Sequence, residues 1–164
     1  MRTRFVIALG IGAGLALGGA ALAQQPVPPA DYGPPITNEQ AKAVAAAAFA
    51  EAKKNNWRMA FTIVGPAGEL VYFEKMDGTQ TASGEISRAK ARTSVMFRRP
   101  SKAFADQYAA GNTSFMTFPE PPVASEGGVP IMVGGKIVGA IGASGGTEDQ
   151  DVECAQACLA AVSG

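Results

Sequence analysis

Apolar positions first recur at helical spacing between Thr37 and Ala52. Ala41, Val44, Ala45, Ala48, Phe49 and Ala52 fall on one narrow stripe of mostly small side chains. Thr37, with Gln40 three residues on, supplies a capping box for that helix. The pattern then turns to β-rich runs. Residues 58–64 and 69–74 flank Gly65-Pro66-Ala67-Gly68, which predicts a hairpin, and Asp77-Gly78 marks its exit. Ser83 opens a second helix running to about Phe97, which Pro100 prevents from continuing far, and Ser101 opens a short third helix through Tyr108. Residues 111–128, with Pro119, Pro121 and Pro122, form a loop of a length that is uncommon unless functional or mobile. Residues 130–133 and 136–141 flank Gly134-Gly135, a second hairpin signal. Thr147 and Gln150 make another capping box, opening a last helix through about Val162. The order helix, two strands, two helices, two strands, helix predicts an α+β domain with an antiparallel sheet and helices packed on it.

The N-terminus follows a different pattern. Arg2 and Arg4 precede an uncharged stretch from Phe5 to Ala23 that ends in Ala21-Leu22-Ala23. A basic segment, an apolar segment and a small-x-small site predict a signal peptide over residues 1–23, cleaved before Gln24. The alternative is an anchor helix, which Gly10, Gly12, Gly14, Gly18 and Gly19 disfavour. The arginines are not adjacent, which points to the general secretory route. Residues 24–36 carry five prolines and predict an extended leader, so the domain spans 37–164. The expected location is periplasmic or secreted.

Cleavage removes Arg2 and Arg4 and leaves 12 basic against 14 acidic residues. That balance argues against nucleic acid as a partner. No long apolar segment remains after cleavage, so no stable membrane insertion is expected. The chain has no histidine, which excludes His-based triads, His-ligated metals and His-ligated haem. Cys154 and Cys158 sit four apart on the predicted last helix, where a disulfide is geometrically doubtful.

Several segments resemble the GlcG/HbpS-like family, also found as the C-terminal part of PduO-type proteins. They are Met76-Asp77-Gly78; Ala89-Lys90-Ala91-Arg92-Thr93; Arg99-Pro100-Ser101; Gly127-Gly128-Val129-Pro130-Ile131; residues 134–146 from Gly134-Gly135 to Gly145-Gly146; and Asp149-Gln150-Asp151. Together they cover about residues 37–163. The resemblance implies a profilin-like fold with an antiparallel sheet of about five strands flanked by helices. It also implies homo-oligomerisation and, from some exported relatives, haem binding, with one branch described as haem-degrading. Other relatives accompany glycolate or diol catabolism.

Six basic residues lie between Arg88 and Lys102. On a helical wheel Ile86, Ala89, Thr93 and Phe97 share one face, and Lys90 falls within it. Two readings of Lys90 stand: its stem covers core surface while its head reaches water, or it faces a pocket and pairs with an anionic ligand. Arg88 and Arg92 lie on the opposite side as a charged face near Glu85. Ser144, Gly145 and Gly146 precede a helix start, where backbone amides can surround an anion such as a carboxylate; a tight strand-to-helix turn explains the same glycines. Lys90, Arg92, Thr93, Met96, Ser144, Gly145 and Gly146 are therefore the candidate ligand contacts. For haem iron, the candidates are Met116, Tyr108, Cys154 and Cys158, with Met96 alongside. The cysteines read equally well as small buried hydrophobes. Phe115, Met116 and Phe118 could cover a porphyrin face or a neighbouring subunit.

Three functional classes follow. The first is an exported haem or tetrapyrrole-binding protein. The second is a small-molecule enzyme acting on a hydroxy acid or aldehyde, with Lys90, Asp151 and Glu126 as acid/base candidates. The third is an oligomeric accessory protein with no ligand of its own.

Overall fold

Thr37 caps the first helix as its spacing predicts: its hydroxyl accepts from the Gln40 amide, and the Gln40 side chain accepts from the Thr37 amide. The computed structural model describes residues 29–161, and the predicted signal peptide lies outside them. Helix α1 (Asn38–Lys54) is followed by strands β1 (Ala60–Val64) and β2 (Leu70–Lys75), then helices α2 (Ser83–Met96) and α3 (Lys102–Ala109). Strands β3 (Gly128–Val133) and β4 (Lys136–Ser144) and helix α4 (Glu148–Ala157) complete the order. Short 3-10 turns occupy Ser114–Thr117 and Leu159–Ala161.

The sheet is antiparallel with strand order β2-β1-β4-β3. It has four strands among the described residues, which corrects the expectation of five. A fifth segment does lie beside β4. The Gly33 amide donates to the Ile137 carbonyl, the Ile137 amide to Asp31, and the Ile36 amide to Val138, each at 2.8 Å. Strand-like pairing there is limited to one parallel bridge, Tyr32 with Ile137. Pro34 and Pro35 have no N–H to donate and cannot extend it into a strand. Residues 31–36 are thus docked, with Ile36 buried, and residues 24–28 of the predicted leader lie outside the described residues.

Two layers of side chains enclose the sheet. One face carries Phe61, Ile63, Ile131, Ile141 and Ala143 beneath α1 and α4. The alanine stripe of α1 lies fully buried there, as its narrow small-residue face predicts. The other face carries Val64 and Ala140 against Ala91 and Val95 of α2. Here the wheel reading needs correction. The sheet-facing stripe of α2 is Ser83, Ser87, Lys90, Ala91 and Ser94, while Ala89 is exposed. The reason is proximity. Gly128 and Gly142 are paired in register on β3 and β4, and a Cβ on Gly142 would overlap the Ser87 carbonyl oxygen. Only small side chains fit between backbones that close. The Ser87 hydroxyl donates to the Gly84 carbonyl and bonds Thr62 Oγ1 of β1 at 2.8 Å, so Ser87 is satisfied within the contact.

The side-chain caps predicted for α2 and α3 do not form. Ser83 is the first residue of α2 and provides no side-chain cap; its buried hydroxyl has no hydrogen-bond partner among the described residues. Ser101 precedes α3, yet its hydroxyl donates to the Ser125 carbonyl and accepts from the Gly128 amide. It ties the end of the long loop to β3 rather than capping a helix.

Candidate functional site

The outer side of α2 forms one wall of a groove of about 460 Å³. Arg88, Arg92, Thr93, Met96 and Phe97 line that wall, and Glu120, Pro121, Pro122 and Val123 of the long loop line the other. The helical repeat explains the first wall, since positions 88–89, 92–93 and 96–97 recur every fourth residue. The loop is fixed to it by two contacts. The Val123 amide donates to Thr93 Oγ1 at 2.9 Å, and Arg92 Nη2 reaches Glu120 Oε2 at 2.9 Å. Arg92 Nη1 also donates to the Gly68 carbonyl in the first hairpin at 3.0 Å. Arg88 is exposed and makes neither an ion pair nor a hydrogen bond with other described residues, although Glu85, three residues earlier, also lines the groove. Beyond Arg88 the groove meets a smaller hollow of about 150 Å³ bounded by Thr62, Leu70 and Phe73. The arrangement offers two guanidinium groups beside an apolar wall of Met96, Phe97 and the prolines, which suits a flat or apolar molecule bearing carboxylates.

Lys90, Ser144, Gly145 and Gly146 do not join this groove. Lys90 is buried, and its ammonium lies 2.6 Å from Asp151 Oδ2, itself buried in the first turn of α4. Neither reading of Lys90 survives: the head reaches neither water nor a pocket. The Gly146 amide donates to Asp151 Oδ1 at 3.1 Å, so the glycine turn's amides hold the chain's own carboxylate. Burial pushes the Asp151 carboxyl up, and Lys90 with the Gly145 and Gly146 amides partly offsets that. Gly127 borders the pair with a positive φ, and a Cβ there would press on Asp151 and Lys90. Asp151 and Lys90 are a structural tie, and neither is open to a substrate as an acid or base.

Known proteins share this chain's sequence pattern and fold. Residues 36–160 match the family described as "Haem degrading protein HbpS-like". The chain belongs to the HbpS-like family. Protein GlcG of Escherichia coli K12 is 37% identical over 109 residues, 66% of this chain and 81% of GlcG. A crystallised double mutant of HbpS from Streptomyces reticuli superposes with a TM-score of 0.73 at 26% identity, covering 94% of this chain and all of that one. The crystal structure of a PduOC–haem complex superposes with a TM-score of 0.72 over 78% of this chain and 95% of its own; at 23% identity that likeness shows the fold alone.

Within this HbpS-like chain the remaining candidates are scattered. Tyr108 on α3 and Met116 on the first 3-10 turn are exposed and lie outside the groove. Phe115 is buried against Phe104, which in turn meets Phe97 edge-on, so it supports the loop from within. Cys154 and Cys158 are free and fully buried. Burial pushes both thiols up to about 12, which keeps them protonated and unsuited to ligation. Glu126 pairs with Lys102 at 2.7 Å at the surface. Among the described residues no cluster of three or more His, Cys, Asp and Glu could hold a metal. Nor is any of their helices long and apolar enough to cross a membrane.

Of the sequence candidates, Arg92, Thr93 and Met96 line the groove, whereas Arg88, Phe97 and Glu120 to Val123 line it without being among them. The signal present is the unusual length and proline content of residues 111–128. Which part of that loop returns to α2 depends on a tertiary contact, the Val123–Thr93 hydrogen bond, that no local pattern encodes.

Proposed function

We infer that this chain is an exported haem- or tetrapyrrole-binding protein acting in haem handling. The observation that carries the reading is Arg88, an exposed cation without a partner among the described residues, set beside Arg92 and an apolar wall. A macrocycle needs that combination: apolar contact for its face and cations for its propionates. Haem fits the residues present. Arg88 and Arg92 would hold the carboxylates, while Phe97, Pro121, Pro122 and Val123 would cover part of the ring. With no histidine in the chain, the soft donor in the groove is the Met96 thioether, half-exposed and 3.8 Å from Arg92 Nη2. Haem bound there would supply its own redox and O₂ chemistry. Family membership and the haem complex of a protein with the same fold support the assignment.

Titration of the purified protein with haemin tests it. Saturable, stoichiometric development of a Soret band is expected, weakened in Arg88→Gln and Arg92→Gln. A featureless, non-saturating response from the folded protein would overturn it. Export through residues 1–23 belongs to the same reading, and N-terminal sequencing of the mature protein should begin at Gln24. Assembly with further copies of the chain does too. Leu70 and Phe73, exposed on the edge strand β2, support that part, and sedimentation of the purified protein should return a multiple of the monomer mass.

A further inference from the structure

We propose that Glu120 is the groove's resident carboxylate: it occupies the anion position on Arg92, and an incoming carboxylate ligand must displace it to bind. The proposal rests on the groove being the site of a carboxylate-bearing ligand. The geometry has three parts. Arg92 is anchored from behind, Nη1 donating to the Gly68 carbonyl, so the guanidinium stays in place when its front partner leaves. Its front nitrogen, Nη2, bears Glu120 Oε2 at 2.9 Å. Glu120 is held by little else. Its side chain is 68% exposed, and Arg92 is the one partner it has among the described residues. It sits between Pro119 and Pro121, upstream of the point where Val123 is fastened to Thr93. The loop is therefore tied on one side of Glu120 and can release the carboxylate without losing its attachment to α2. Arg88, one helical turn away on the same face, pairs with no carboxylate among the described residues, though Glu85 also lines the groove. One cation of the pair is free and the other is guarded.

This arrangement makes Glu120 a determinant of ligand selectivity. A neutral ligand gains nothing by displacing it. A ligand with two carboxylates engages Arg88 first and then exchanges with Glu120 on Arg92. An exposed ion pair is weak, so the exchange is inexpensive but measurable, roughly two- to fivefold in affinity.

The experiment is a set of spectroscopic titrations with haemin and with haemin dimethyl ester. The proteins are the wild type, Glu120→Gln, Arg92→Gln and the double variant, with far-UV circular dichroism confirming the fold. Glu120→Gln should bind haemin roughly two- to fivefold more tightly than wild type and the diester unchanged. In the Arg92→Gln background the same substitution should have no effect, because the carboxylate acts through that guanidinium. Saturable haemin binding that is unchanged by Glu120→Gln overturns the proposal and leaves the haem reading standing. So does a gain that persists without Arg92, which would mark a through-space charge effect. No saturable binding by any variant overturns both.

Discussion

Lys90 Nζ and Asp151 Oδ2 meet at 2.6 Å, joining α2 on one face of the sheet to the first turn of α4 on the other. Both side chains are almost wholly removed from water. The link runs past the Gly127–Gly128 end of β3, where the absence of side chains leaves room for the Lys90 ammonium beside Gly127 and the Lys90 backbone beside Gly128. Removing one partner strands a buried charge, whereas replacing both with apolar groups removes the desolvation cost of each. Lys90→Met or Asp151→Asn should therefore lose about 3–5 kcal/mol of stability. The Lys90→Met/Asp151→Leu pair should recover most of that loss. Urea unfolding of the three variants checks this, and a loss in the double variant equal to the sum of the two single losses would show that the side chains act independently, through packing and not as a pair.

Gly142 and Gly84 both touch the α2 interface, and alanine should act oppositely at the two. At Gly142 an added Cβ would run into the Ser87 carbonyl and the Ala91 amide, both helix backbone that cannot rotate away. Gly142→Ala should cost about 1–3 kcal/mol or more, as α2 is pushed off β4. At Gly84, inside α2, a Cβ would meet only the Phe73 ring at 3.4 Å, an ordinary contact with an exposed side chain. Gly84→Ala should stabilise by about 0.5–1 kcal/mol through helix propensity. Thermal unfolding of the two variants gives the signs directly.

Arg88 and Arg92 should separate binding from stability. Arg88 has no partner among the described residues, so Arg88→Gln should change folding stability by no more than about 0.5 kcal/mol. Its effect on haemin affinity should be larger, about tenfold, the scale of a lost hydrogen bond to a charged group. Comparing the Soret titration with the melting curve of the same variant tests the split. A loss of stability that matched the loss of affinity would assign Arg88 to the fold.

How much of the fold and site is legible in the sequence depends on whether the deciding interaction is local. Both capping boxes are legible, since Thr37–Gln40 and Thr147–Gln150 each lie within one turn, and both form. The hairpin at Gly134-Gly135 is too, because those glycines carry the positive φ its turn demands. The buried face of α2 is not. Hydrophobic periodicity favours Ile86 and Ala89, but the glycines of β3 and β4 bring the helix so close that serines are buried instead. The glycine turn at Gly145-Gly146 does hold a carboxylate, and that carboxylate is Asp151. Sequence marks an amide cluster that wants an anion; only the fold shows that the chain fills it from five residues away.

The two cysteines give a pH dependence with a definite sign. Burial pushes both thiols from about 9 up to about 12. In the unfolded chain they lose their protons at the ordinary thiol range, and in the native state only near 12. Between those limits the native protein holds more protons than the unfolded one, so stability falls as pH rises. Each thiol contributes a slope of up to about 1.4 kcal/mol per pH unit in that window and nothing below it. Cys154→Ala/Cys158→Ala should be less stable than wild type at pH 7, having lost two core sulfurs. The gap should then narrow as pH is raised from 9 towards 12. In parallel, a maleimide should label neither cysteine of the native protein at pH 8 and both in denaturant. Fast native labelling at pH 8 would show that the last helix opens on its own, and the high thiol values would then not describe the folded chain.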